Sequence, residues 1–199
     1  ILFPYFDNFF YEQLGTSIIF GTKVDQYSDH IFLPFELHKS LQQTQFKNRL
    51  LCKESINLLE FKKQKPNSWW NNVYTYLIFL ALILVLNKKY IDIFYLLIMG
   101  LLGIFFASVG FYSFHQELAN NYNVLLFNPT LLVLLYFMVV KNKKWIINLA
   151  VFNMVIIGVY LIVMIHKAHL LIVLPLMLTS IFILAKITFK NSKRIPVVI

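Results

Sequence analysis

The chain is 199 residues long, 59% hydrophobic and only 14% charged, with 20 Phe, 11 Tyr and a formal net charge of +9. Soluble domains carry about 25% charged residues, so this balance excludes a disordered chain, a collagen-like fibre and an ordinary water-soluble globule. It indicates a multi-span membrane protein, and a single Cys excludes an intrachain disulfide framework or a multi-Cys zinc site.

In chain order, Tyr5–Phe20 mixes aromatic and polar residues at helical spacing and predicts a helix that Gly21-Thr22 closes. Leu33-Pro34-Phe35-Glu36 predicts a helix start, with Pro in the first turn, and the helix runs to about Gln45. Leu50–Cys52 and Ile56–Phe61 read as short strands around a Lys53-Glu54-Ser55 turn. Lys62–Ser68, with Pro66 and Asn67, is a linker into the membrane. These roughly seventy residues have few apolar clusters and make a thin core. They read as the tail of a larger exported domain.

Five runs are then long and apolar enough to span a bilayer: about Trp70–Leu86, Ile91–Phe111, Val124–Val140, Trp145–Ile165 and Leu170–Phe189. The first and third are short by that measure. Trp69, Trp70, Tyr90, Tyr122 and Trp145 mark span ends, where amphipathic rings favour the headgroup level. Pro129 and Pro175 lie inside the third and fifth spans, which a bundle tolerates when neighbours satisfy the freed carbonyls. The expected fold class is therefore mostly α: a helical transmembrane bundle of about five spans, preceded by a small α+β exported segment. The expected domains are residues 1–68, the end of an exported domain, and residues 69–199, the five-span membrane domain.

Charge sets the expected orientation. Residues 1–72 hold eight Lys/Arg and seven acids and are nearly neutral. Beyond them ten Lys/Arg face only Asp92 and Glu117, and those bases sit almost wholly in breaks between apolar runs. The basic excess is thus a topology signal, and no nucleic-acid partner is expected. Asn87-Lys88-Lys89, Lys141-Asn142-Lys143-Lys144 and Lys190-Asn191-Ser192-Lys193-Arg194 follow the first, third and fifth spans. Ser113–Asn123 has no base, and His166–His169 has only Lys167. Lysine-rich breaks favour the cytoplasm, so the C-terminus is expected there and residues 1–72 outside. Export needs a signal and none is visible after Ile1, so further residues are expected before it; the alternative is that the first span itself acts as a reverse signal-anchor.

Few residues suggest chemistry. Cys52 lies in an apolar run and reads as a buried structural thiol rather than a nucleophile, although His30 and His38 are near in sequence. The five His show no metal-ligand spacing, and His166 and His169 read as interface residues. No metal or other cofactor is expected. The break after the second span is more informative, because polar groups beside a span are costly and tend to carry a role. It places His115, Glu117, Asn121 and Asn123 before Asn128-Pro129. One reading makes these residues a pocket for substrate between the second and third spans. The other makes them a polar turn with helix caps, with Asn128 capping a helix that restarts at the Pro.

The pattern Asn121-x-Asn123-x-Leu125-x-x-Asn128-Pro129, preceded by His115 after an apolar span, resembles the transmembrane part of the Lnb-type bacterial lipoprotein N-acyltransferases and their relatives. Phe20-Gly21, Asp25, Phe32-Leu33-Pro34 and Leu37 resemble the end of that family's periplasmic domain. The family joins a periplasmic domain with a papain-like Cys/His site to a helical membrane domain. The resemblance implies that this chain is the back half, in the bacterial inner membrane. No residue here matches the family's catalytic Cys motif, and Cys52 is in the wrong region for it, so the resemblance implies a nucleophile upstream of Ile1. It also implies two partners, a membrane phospholipid as acyl donor and a lipoprotein N-terminus as acceptor. Holding both in one plane would supply proximity. The alternative is a non-catalytic membrane anchor or assembly subunit. A transporter is disfavoured, because no internal repeat is visible and the spans are nearly free of charge.

The orientation has a direct test. An alkaline phosphatase fused after Arg194 is expected to be inactive and a fluorescent protein fused there to be bright; an active phosphatase would overturn the five-span orientation.

Overall fold

The computed structural model describes residues 9–20, 34–52, 68–112, 121–167 and 170–192. The chain divides into two compact units, residues 26–66 and residues 1–25 with 67–199.

In the smaller unit, the described elements are a helix at Pro34–Gln43 and a hairpin of β1 (Gln45–Phe46) and β2 (Arg49–Leu50). The strands pair antiparallel, Gln45 opposite Leu50 and Phe46 opposite Arg49. The turn between them holds Lys47 at φ 48° and Asn48 at φ 60°. Two left-handed residues match the right-handed twist of the strands they join. This corrects the expected strand placement. Only Leu50 of the Leu50–Cys52 strand is in the sheet, paired backwards across Lys47-Asn48 rather than forwards across Lys53-Glu54-Ser55. Ile56–Phe61 lies outside the described residues. Cys52 is half-buried.

The larger unit contains α1 (Phe10–Phe20) and, after the Pro34–Gln43 helix taken as α2, five apolar helices. These are α3 (Val73–Leu86), α4 (Lys89–Tyr112), α5 (Thr130–Val140), α6 (Lys143–Met164) and α7 (Leu170–Ser192). A short 3₁₀ turn at Tyr122–Leu125 precedes α5. Four stretches are long and apolar enough to cross a membrane: 89–112, 122–140, 143–164 and 170–192. Helix α3 is equally apolar but has 14 residues, about 21 Å at 1.5 Å per residue.

The sequence breaks are helix caps. Asn72 Oδ1 accepts from Thr75 N at 3.1 Å and starts α3. Asn87 at φ 47° ends α3, and Lys141 at φ 60° ends α5. Asn142 Oδ1 accepts from Trp145 N and starts α6. Such caps satisfy orphan groups at helix ends. The third span is not one continuous helix. Its 3₁₀ turn stops before Asn128-Pro129, and Asn128 Oδ1 accepts from Thr130 N at 2.9 Å where α5 begins. Asn128 therefore caps the restarting helix.

Helix α7 packs on α3 and α6, α6 on α5, and α5 on α4. Polar links close α4 onto α7: Tyr95 Oη lies 2.8 Å from Ser180 Oγ, and Lys186 Nζ lies 2.7 Å from an Asp92 carboxylate oxygen. Tyr76 and Tyr95 also donate to Ile172 O and Leu176 O, on either side of Pro175. Neither is the carbonyl of Leu171, whose donor the proline removes, so these bonds tie α3 and α4 to α7 rather than repair its ladder. Leu96, Leu134, Ala150, Tyr160, Val173 and Leu184 are fully buried, while Phe79, Val85, Val139 and Ile162 are exposed on the outer faces. Helices apolar on both faces suit a lipid surround. Short connections make successive helices antiparallel, so the bundle has one end at the starts of α3, α5 and α7 and another at the starts of α4 and α6.

Gly103 sets the approach of α4 to the 127–129 bend. A Cβ there would lie 2.0 Å from Phe127 O, whereas one at Gly158 meets nothing within 4 Å. Gly103→Ala is expected to lower stability by about 1–3 kcal/mol. Gly158→Ala is expected to be neutral or slightly stabilising. Thermal unfolding of both variants in detergent checks the contrast.

Candidate functional site

Helix α1 is only 11 residues long. An isolated helix of that length is marginal in water, and its first N–H and last C=O groups have no partner within it. The bundle supplies those partners from far along the chain. At the start of α1, Asn71 Oδ1 accepts from Tyr11 N at 2.8 Å, and Asn71 Nδ2 donates to Glu12 Oε2 at 2.7 Å. Glu12 also places a carboxylate in the first turn, which the helix dipole favours. Tyr11 stacks on Trp70 with centroids 5.7 Å apart, and Phe10 meets Tyr76 at 5.2 Å.

At the end of α1, Asn121 Nδ2 donates to Ile18 O and Ile19 O, each at 2.8 Å. Asn123 Nδ2 donates to Ile18 O at 2.8 Å and Ser17 O at 3.2 Å. Asn121 Oδ1 accepts from Asn123 N at 2.9 Å, which opens the 3₁₀ turn and aims both amides the same way. Behind them, Tyr160 Oη donates to Asn123 Oδ1 at 2.6 Å from the middle of the bundle. Asn123 is 0% exposed, and its carbonyl and amide are all engaged with protein.

A second polar run starts one bend later. Asn128 caps α5, Thr130 Oγ1 donates to Asn153 Oδ1 at 3.0 Å, and Asn153 Nδ2 donates to Leu149 O. Asn128 is 8% exposed and Asn153 1%. These are neutral groups with satisfied partners, so their burial does not carry the cost of a buried charge.

Of the residues singled out from sequence, Asn121, Asn123 and Asn128 thus come to one end of the bundle. Asn121 and Asn123 act on the same carbonyls, while Asn128 joins the α5–α6 run. His115 and Glu117 lie outside the described residues, as do His30 and His169. His166 is exposed, and His38 is exposed on α2. Among the described residues no three His, Cys, Asp or Glu side chains group to hold a metal. Sequence reading missed Asn71, Asn153, Tyr160 and Ser17. A polar residue in the middle of a span marked Asn153. Nothing local marked Tyr160, one of 11 tyrosines. The chemistry available at this end is hydrogen bonding by neutral amides and hydroxyls, with Glu12 as the described carboxylate.

The family model described as the Lnb transmembrane domain matches residues 65–192. No curated protein and no solved structure matches the chain.

Replacing Asn123 removes its bonds to the Tyr160 hydroxyl and to the carbonyls of Ser17 and Ile18, the latter still held by Asn121. Asn123→Ala is expected to cost about 2–3 kcal/mol, and Tyr160→Phe about 1 kcal/mol. The double variant should lose less than the sum, because both remove one bond. Thermal unfolding in detergent measures the coupling, and faster chymotrypsin cleavage within residues 10–20 reports release of α1.

Proposed function

The chain belongs to the Lnb transmembrane domain family, and from that premise we propose that it is the membrane-embedded half of a lipoprotein N-acyltransferase-like protein. In this reading it docks a phospholipid and a lipoprotein N-terminus at the outer face of the bacterial inner membrane. The catalytic thiol lies outside these 199 residues. The observation that carries the reading is the family match over residues 65–192. The asparagine-rich end of the bundle supports it through position, since Asn71, Asn121 and Asn123 are engaged in seating α1 at that end. His115, Glu117, Asn121, Asn123 and Asn128 are the proposed substrate-handling residues. Asn121 and Asn123 act through the placement of α1, which they hold by its last carbonyls.

The reaction needs little of this half beyond positioning. A thiolate on the thiol-bearing domain would attack the phospholipid ester, forming a thioester and releasing the lysophospholipid. The α-amine of the lipidated N-terminal Cys would then attack the thioester, forming an amide and returning the thiol. Both reactants are anchored in one leaflet, so a rigid bundle end beside the thiol sets their approach. A second reading, a non-catalytic anchor, is favoured by one observation: the amides of Asn121 and Asn123 are already engaged with α1.

Alanine substitution in the protein that carries the thiol domain separates the two. His115→Ala and Asn128→Ala are expected to lower acyl transfer roughly tenfold to a hundredfold at unchanged membrane level. Cys52→Ala should leave transfer near wild type. Wild-type transfer in both the His115 and Asn128 variants would favour the anchor, and loss in Cys52→Ala with intact folding would make that thiol the nucleophile.

A further inference from the structure

At the end of the bundle away from α1, the starts of α4 and α6 and the ends of α5 and α7 enclose a cavity of about 550 Å³. Its wall carries Lys89, Lys141, Lys143, Lys186 and Lys190, against one acid, Asp92. That acid is spent inside the protein. Lys186 Nζ lies 2.7 and 2.8 Å from the two Asp92 carboxylate oxygens and 2.9 Å from Asn87 Oδ1. Lys89, Lys141 and Lys190 bring further like charge to the same space. Among the described residues, no acceptor holds the side chains of Lys89, Lys141 or Lys190.

Lysines beside span ends are expected from topology alone, and a Lys near a helix C-terminus is favourable by itself. Neither accounts for five of them facing one cavity, nor for Lys186, which lies inside α7 and points into the bundle. Clustered ammonium groups repel unless an anion lies between them. The inner wall is apolar, with Met138 and Ile187 below the lysines. A basic mouth over an apolar floor, at the depth where helices leave the hydrocarbon, matches an amphiphile with an anionic head. The volume is in the range of small-molecule sites, about 300–1,000 Å³. We propose that this cavity binds the phosphate headgroup of an anionic phospholipid of the surrounding leaflet. The lysines act as point charges on the phosphate oxygens. The site is separate from the proposed acyl-transfer end and does not depend on it.

The test uses the whole chain purified in dodecyl maltoside, with lipid binding followed by native mass spectrometry. The probes are phosphatidylglycerol, phosphatidylcholine and inorganic phosphate. Phosphatidylglycerol is expected to bind in preference to phosphatidylcholine. The double variant K141Q/K190Q should weaken phosphatidylglycerol binding roughly tenfold. Both positions are exposed, and the Asp92–Lys186 pair is left intact. K88Q/K144Q removes two lysines from the same end that do not line the cavity, and should change binding little. Unchanged affinity in K141Q/K190Q, equal loss in K88Q/K144Q, or equal binding of phosphatidylcholine would overturn the proposal. Displacement of phosphatidylglycerol by inorganic phosphate at equal concentration would overturn the lipid assignment in favour of a soluble phosphate.

Discussion

The arrangement depends on how an 11-residue helix is kept at one end of a membrane bundle. Its backbone ends are the difficulty. N–H and C=O groups left open beside lipid cost several times what an exposed surface group costs. Asn71 meets the first turn and Asn121 with Asn123 meets the last. Asparagine suits both positions because one amide both donates and accepts. Tyr160 then fixes the rotamer of Asn123 from inside the bundle. The apolar contacts of Phe10, Tyr11, Leu14 and Ile18 with the core add area but no direction. The amides give the docking its register.

The two ends of the bundle solve different problems with different side chains. At the α1 end, the asparagine amides are neutral, buried and paired, and Glu12 is held by Asn71. At the other end the polar groups are cationic and partly exposed, and the single carboxylate is held by a lysine. Neutral amides can be enclosed at little net cost, whereas several ammonium groups must keep access to water or to an anion. That difference explains why Asn123 has no exposed surface while Lys186 keeps 24% of its side chain open.

Much of this was legible in the sequence, for physical reasons. Apolar runs interrupted by Asn and Lys marked the helices within a few residues, because the same residues form the caps, Asn87 and Lys141 by a left-handed backbone and Asn142 by its side chain. Asn128-Pro129 announced a helix restart, since Pro cannot donate and Asn can cap. The hairpin was misplaced because Lys47-Asn48 lacks the glycine that usually advertises a left-handed turn. The seating of α1 was not legible at all. Its partners lie about 60 and more than 100 residues away in sequence, and no local pattern encodes a contact of that range. The lysine cavity was hidden for a related reason: each lysine reads singly as a topology signal, and only packing shows that five share one space.

The seating of α1 also constrains the order of assembly. The residues that meet its two ends, Asn71 and the pair Asn121 and Asn123, flank α3 and α4 in the chain. Both ends of α1 can be met at once only after α3 and α4 have brought those asparagines to one end of the bundle. Tyr160 adds α6 to that requirement, because its hydroxyl holds Asn123. Contacts of such sequence separation form late, so the first described helix of the chain is among the last to complete its contacts.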